Sequence, residues 1–305
     1  MIKVEPLENI IYHNEILNHT QEKIREERKI IESYLDNLKS QIDDYCNNEK
    51  DYSELKALET TTDVHDVLYG LYDSDESIIK TMKSNIKNKY KKNHYSHNAN
   101  RCPYCGILRQ SSSALDHFLP RSIFPEYSIL SSNLVYICEI CNNKSHKGVL
   151  VNDSDGIRLF LHPYSDKLIE EHTLIDCKIE FNNLTVLPTF SICKSINDVD
   201  ENLYKIACNH MMKLKLNKRY SELVENDLLC KFRRKFSNLD KQTRVRKYKD
   251  KIDVDDILRF VNDRIEECDE TDLNNWELIF WKEFIKKTFW FESLEGKEIE
   301  ESNED

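Results

Sequence analysis

Two C-x-x-C pairs, Cys102-Pro103-Tyr104-Cys105 and Cys138-Glu139-Ile140-Cys141, carry the strongest chemical signal in the chain. Each pair sets two sulfurs on one side of a metal ion, and two pairs complete a tetrahedral set. Four thiolates at about 2.3 Å leave no open coordination position, so the expectation is a structural zinc ion rather than a catalytic one. A redox site would need one pair in a thioredoxin-like setting, which is absent from the pattern. Between the pairs stand Asp116-His117 and Asn133-Leu134, and Asn142, Asn143, Lys144, Ser145, His146 and Lys147 follow the last cysteine. A neutral imidazole can take a proton from water near working pH. The aspartate beside it offers a hard oxygen to a divalent cation such as Mg²⁺ or Mn²⁺. If residues 142–149 form a short helix, His146 lies one turn after Asn142, and both can approach the same ion as Asp116. Water activated beside a divalent cation is the chemistry of ester hydrolysis.

The order of Cys102, Cys105, Asp116, His117, Pro120, Ser122, Asn133, Leu134, Cys138, Cys141 and Asn142 resembles the HNH endonuclease family of the ββα-metal nucleases. The matched stretch covers about a sixth of the chain. The resemblance implies an α+β fold: a ββα-metal core with a four-cysteine zinc site, flanked by mostly helical regions. It implies a metal-dependent endonuclease that hydrolyses DNA phosphodiester bonds. His117 would be the general base, and Asn133 the residue that braces the hairpin and orients it. Asp116, Asn142 and His146 would match ligands of a catalytic Mg²⁺ or Mn²⁺, with Asn143 an alternative to Asn142. Family members usually carry a lysine where this chain has Ser145, and Lys144 and Lys147 flank that slot as phosphate contacts. The wording Asp116-His117-Phe118-Leu119-Pro120-Arg121-Ser122, with Phe124-Pro125-Glu126 after it, is also similar to HNH proteins encoded beside an ATPase in Septu-like bacterial anti-phage systems. That similarity implies an ATPase partner and a role as a defence effector. Two other readings remain open: a non-catalytic zinc-knuckle module that binds nucleic acid or protein, and an RNase.

The elements that must position these residues follow from composition and periodicity. The 305 residues contain five glycines and six prolines among abundant Lys, Glu, Leu and Ile, which predicts a mostly helical chain. Three regions are expected: a helical one at 1–92, a zinc-stapled core at 93–165, and a small β segment with further helices and an acidic tail at 166–305. In the first, Leu17, Ile24, Ile31, Leu38 and Tyr45 recur every seven residues, predicting a long helix over residues 7–46 that offers a docking, self-association or coiled-coil seam. A second helical stretch is expected at 61–91, broken near Gly70 and Asp73-Ser74-Asp75. Residues 134–137, 157–164 and 174–192 read as strands, the last a hairpin turning at Asn182-Asn183. Residues 198–249 and 254–291 read as helical, with Trp276, Phe280, Trp281, Phe284 and Phe289 as core candidates. His162 is expected to be structural.

The net charge of −11 argues against a protein that coats nucleic acid indiscriminately. No acidic residue falls between Ser77 and Leu115, where Lys80, Lys83, Lys87, Lys89, Lys91, Lys92, Arg101 and Arg109 occur. This patch abuts the motif, and Lys89, Lys91, Lys92 and Arg101 join Lys144 and Lys147 as candidate contacts to DNA. A second basic stretch runs through residues 231–251. The six other cysteines are scattered singly, as intracellular thiols would be. With no apolar run of spanning length and no signal-like N-terminus, a cytoplasmic protein without membrane contact is expected.

Overall fold

Strands β1 (Ser113–His117) and β2 (Leu134–Cys138) pair antiparallel, with His117 opposite Leu134 and Asp116 opposite Val135. Side chains alternate across a strand, so Leu115, His117 and Leu134 share one face while Asp116, Val135 and Ile137 share the other. Both faces carry apolar residues, and a two-stranded hairpin of that kind is stable only when both are covered. The computed structural model describes residues 29, 32–47, 52–92, 101–108, 113–166, 168–182, 185–239, 246–248, 253–268 and 272–292. Within these residues the fold is mixed helix and strand, and each face of the hairpin meets a different cluster of side chains.

The first face is covered by helices α1 (Leu35–Asn47), α2 (Thr62–Leu71) and α3 (Ser77–Lys92). Ile79, Met82 and Ile86 recur at helical spacing on α3 and are buried with Leu38, Val64, Leu68 and Leu71 against Leu115, Ile129 and Leu134. The break between α2 and α3 falls where Asp73-Ser74-Asp75 predicts it, and Ser74 Oγ accepts from the Glu76 amide at 3.2 Å. The described half of the heptad seam does not serve a partner: Leu38, Ile42 and Tyr45 are buried within the chain's own core. Leu17, Ile24 and Ile31 lie outside the described residues.

The second face belongs to the larger core. Strands β3 (Ile175–Asn182) and β4 (Thr185–Ile192) form a second hairpin, with Asn182 opposite Thr185. Helices α4 (Glu201–Lys213) and α5 (Leu216–Leu223) pack on β4. The chain continues through a π-helical stretch, Val224–Leu229, into α6 (Cys230–Phe236). Helices α7 (Val254–Glu266), α8 (Trp276–Phe284) and α9 (Thr288–Glu292) complete this side, with α8 lying on β3. Asp200 caps α4 and Asn275 caps α8 through side-chain bonds to backbone amides.

Four sequence expectations need correction. Residues 142–149 form successive turns, not a helix. There Asn143 Oδ1 accepts from the Ser145 amide at 2.9 Å, a local bond that competes with helical pairing, and Gly148 at φ +61° ends the segment. Residues 157–164 contribute one bridge, Asn152 to Arg158, instead of a strand. After Phe236 the helix gives way to a short strand pair, Ser237–Leu239 with Arg246–Tyr248. Phe289 is 61% exposed, and Trp290 and Phe291 are buried in its place. No described helix is long and apolar enough to cross a membrane.

Candidate functional site

The first cysteine pair sits in a tight hairpin. Gly106 donates to the Cys102 carbonyl at 2.7 Å, Cys102 to the Ile107 carbonyl at 2.9 Å, and Gly106 takes φ +66°, which glycine adopts without a Cβ penalty. The second pair begins at the end of β2, where the Asn142 amide donates to the Cys138 carbonyl at 3.0 Å. The four Sγ atoms of Cys102, Cys105, Cys138 and Cys141 are buried and lie within 4.8 Å of one another. Cys105 and Cys138 are 3.9 Å apart. A zinc–thiolate tetrahedron has an edge of about 3.8 Å, so the cluster has the size to hold such an ion. Hydrogen bonds from Cys102, Cys105 and Cys141 push the Cys138 thiol well below its ordinary range.

Three residues clamp the knuckles from α4 and α5. His210 Nε2 donates to the Tyr104 carbonyl at 2.7 Å, while its Nδ1 accepts from the Leu161 amide at 3.2 Å. Tyr220 donates to the Cys105 carbonyl at 2.7 Å. Arg219 lies 3.4 Å from Cys141 Sγ, where a guanidinium offsets the negative charge of clustered thiolates. The sequence reading named none of the three.

At the end of β1, His117 and Asp116 point to opposite faces. His117 is 8% exposed. Its Nε2–H donates to the Ser128 carbonyl at 2.8 Å, and since a carbonyl only accepts, this bond fixes the tautomer and leaves the lone pair on Nδ1. Ser128 is itself held by its hydroxyl, which donates to the Leu68 carbonyl at 2.6 Å. Burial lowers the His117 pKa to about 4, against the opposing Ser128 bond, so the ring is neutral at pH 7. The edge of the His117–Tyr72 pair lies at 4.6 Å between ring centroids.

Asn133 does not touch the His117 ring. Its Oδ1 accepts from the Leu119 amide at 2.8 Å and the Tyr45 hydroxyl at 3.2 Å. Its Nδ2 donates to the Leu119 and Tyr127 carbonyls, both at 3.1 Å. Asn133 therefore braces the loop 118–133, and the Ser128 carbonyl of that loop orients the imidazole. His162 is buried, 3.0 Å from the Tyr45 hydroxyl.

On the other face Lys147 Nζ lies 2.7 Å from Asp116 Oδ2, 2.6 Å from the His117 carbonyl and 3.2 Å from the Phe118 carbonyl. Burial raises the Asp116 pKa, and Lys147 opposes that shift. These placements do not fit a second cation bound by Asp116, Asn142 and His146. The carboxylate is engaged by an ammonium. Asn142 is exposed on a turn, so the helical face expected to align it with His146 does not exist. His146 is half-buried, and Arg219, Lys215 and Cys138, not Asp116, are the charged groups acting on it. Among the described His, Cys, Asp and Glu residues, the four cysteines form the sole group of three or more that could hold a metal ion.

The candidate phosphate contacts also divide. Lys147 is buried in its ion pair and not free for DNA. Arg101 donates to the Gly106 carbonyl at 2.9 Å and pairs with Glu277 at 3.4 Å, so it serves the first knuckle instead. Lys144 is exposed and Lys89 is half-buried. The side chains of Lys91 and Lys92 lie outside the described ones. Of the basic groups beside His117, the sequence places Lys83 in the basic patch and Arg121 within the motif, without naming either as a phosphate contact. Arg121 stacks over Tyr69 and Tyr72, at 4.2 and 5.0 Å from the ring centroids. Lys83 stands 3.8 Å over Tyr72. Arg121 is anchored by Asp73 at 2.8 Å and by the Tyr69 carbonyl at 3.1 Å.

No protein-family model matches the chain, and no solved structure matches it. Among curated proteins the chain is similar to Protein ea31 of Escherichia phage lambda, 42% identical over 67 residues, or 22% of each chain. The chain thus spans about a fifth of the length of the curated relative it matches.

Proposed function

We propose that this protein is an HNH-type nuclease that hydrolyses phosphodiester bonds of DNA, with His117 as general base. The observation that carries the reading is the state of His117: neutral, fixed through Nε2 on a backbone carbonyl, with Nδ1 holding the lone pair. A base for hydrolysis needs that protonation state and that fixed orientation, while the low pKa set by burial makes this imidazole a weaker base than one poised near working pH. Nδ1 takes the proton of an attacking water. Arg121 and Lys83, on the same face beside Tyr72, supply positive charge to the phosphate. The four-cysteine cluster takes one zinc ion as a staple, holding both ends of the segment that carries the base. The Mg²⁺ or Mn²⁺ ion that the family resemblance implies does not fit the side chains around Asp116, and no step is assigned to it.

The experiment is cleavage of plasmid DNA and of RNA by the purified, zinc-loaded chain. Strand scission of DNA is expected. Scission of RNA alone would change the substrate, because the site carries no group specific for the sugar. Binding without scission of either would favour the zinc-knuckle module. The burial of His117 and the pairing of Asp116 with Lys147 are the observations on the side of that second reading. An ATPase partner and an anti-phage role rest on the resemblance of Asp116 to Ser122 and its flank. Co-purification with the products of adjacent genes tests them.

A further inference from the structure

We infer that Lys147 is the resident cation of the Asp116 site, a tethered ammonium that takes the place a divalent metal would otherwise fill. An ammonium has three N–H donors and no acceptor. Lys147 Nζ donates to the His117 carbonyl at 2.6 Å and the Phe118 carbonyl at 3.2 Å, and forms an ion pair with Asp116 Oδ2 at 2.7 Å. One carboxylate and two carbonyls form the hard-oxygen set that Mg²⁺ or Mn²⁺ prefers. Here that set is filled from within the chain. The side chains of Lys147 and Asp116 are 3% and 16% exposed, so solvent cannot easily substitute for either partner. An incoming ion would have to expel a buried ammonium from contact with these three oxygens, and the Phe160 ring lies 5.9 Å from the same Nζ.

The backbone makes the arrangement specific. The turn at 143–147 is closed by the Lys147 amide donating to the Asn143 carbonyl at 3.1 Å. Gly148 follows at φ +61°, and a Cβ there would come within 3.3 Å of the Lys144 carbonyl. The turn that begins at the second zinc knuckle therefore aims the lysine at the end of β1. Because two of the three oxygens belong to the backbone of His117 and Phe118, the same ammonium pins the residue that holds the candidate base. Lys147 is thus a positioning residue as well as a counter-ion.

The proposal deepens the nuclease reading, but its test does not depend on cleavage. Mn²⁺ binding to the zinc-loaded full-length chain is followed by electron paramagnetic resonance, for the wild type, Asp116→Asn and Lys147→Met. Wild type and Asp116→Asn should give superposable titrations, since Asp116 is already occupied. Lys147→Met should gain a Mn²⁺ site that the double variant Lys147→Met/Asp116→Asn lacks, together with a Mn²⁺-dependent rise in Tm. A wild-type Mn²⁺ site abolished by Asp116→Asn would overturn the inference, and so would a folded Lys147→Met protein that takes up no Mn²⁺. If Lys147→Met does not fold, the wild-type and Asp116→Asn titrations still decide. A chain that cleaves no nucleic acid would defeat the nuclease reading and leave these titrations unaffected.

Discussion

At the scale of single residues, the sequence shows which side chains matter more readily than what they touch. The cysteines, Asp116, His117 and Asn133 are legible because their types and spacing are unusual together. The partner of His117 is not legible, because a backbone carbonyl such as Ser128 leaves no mark in residue type. The sequence places Lys147 among the phosphate contacts. It meets Asp116 instead, since burial of a carboxylate at the end of β1 is tolerable only with a counter-charge. Asn133 makes four buried bonds through one side chain. Asn133→Ala would strand the Leu119 amide and two carbonyls, and is expected to cost about 3 kcal/mol, read as a lowered midpoint in urea unfolding. Arg121→Ala should weaken DNA binding while leaving the fold intact, and should lower the salt dependence of binding by about one counterion. Unchanged binding across a salt series would remove Arg121 from the phosphate-binding face.

At the scale of elements, long periodic segments were readable and short irregular ones were not. The break between α2 and α3 follows from a glycine and an Asp-Ser-Asp run, and the β3–β4 hairpin from alternation on both sides of an Asn pair, although Asn182 belongs to β3, opposite Thr185, and not to the turn. The turn at 142–149 is not legible because its helical spacing is overridden by the Asn143 side chain and by Gly148. The clamp on the two cysteine turns is not legible for another reason. Arg219, His210 and Tyr220 lie 78, 106 and 115 positions from the residues they hold. Elemental analysis should find one zinc per chain, and Cys138→Ser should lose it and unfold the central hairpin. Arg219→Ala should keep the zinc but release it to a chelator at roughly ten- to a hundredfold lower concentration, the usual scale for a residue supporting metal ligands. Equal chelator resistance in Arg219→Ala would show that the guanidinium does not support the cluster.

At the scale of the molecule, the hairpin flanked by the four-cysteine cluster is covered on both faces, one by α1 to α3 and one by the core containing β3 and β4. The sequence divided the chain at residue 92. In the structure, buried side chains from both sides of that boundary pack together, and the His117 ring meets Tyr72, the residue that follows α2. Burial makes two neutral imidazoles part of the fold's stability. It lowers the pKa of His117 to about 4 and that of His210 to about 3, against the opposing bonds to Ser128 and Tyr104. In the unfolded chain both titrate near about 6.5. Below that pH the unfolded state binds protons that the folded state refuses, so their contribution is complete above about pH 6.5 and falls as pH drops toward 4 and 3. Each can add up to about 1.4 kcal/mol per pH unit to the slope, and His210→Asn should remove its share of the slope in urea unfolding between pH 6.5 and 5. The most direct test of the central claim is the rate of plasmid cleavage by His117→Ala against the wild type, with zinc content and circular dichroism matched. The account predicts a loss of about a hundredfold or more at unchanged zinc and fold. Cleavage by His117→Ala at a near-normal rate would contradict it.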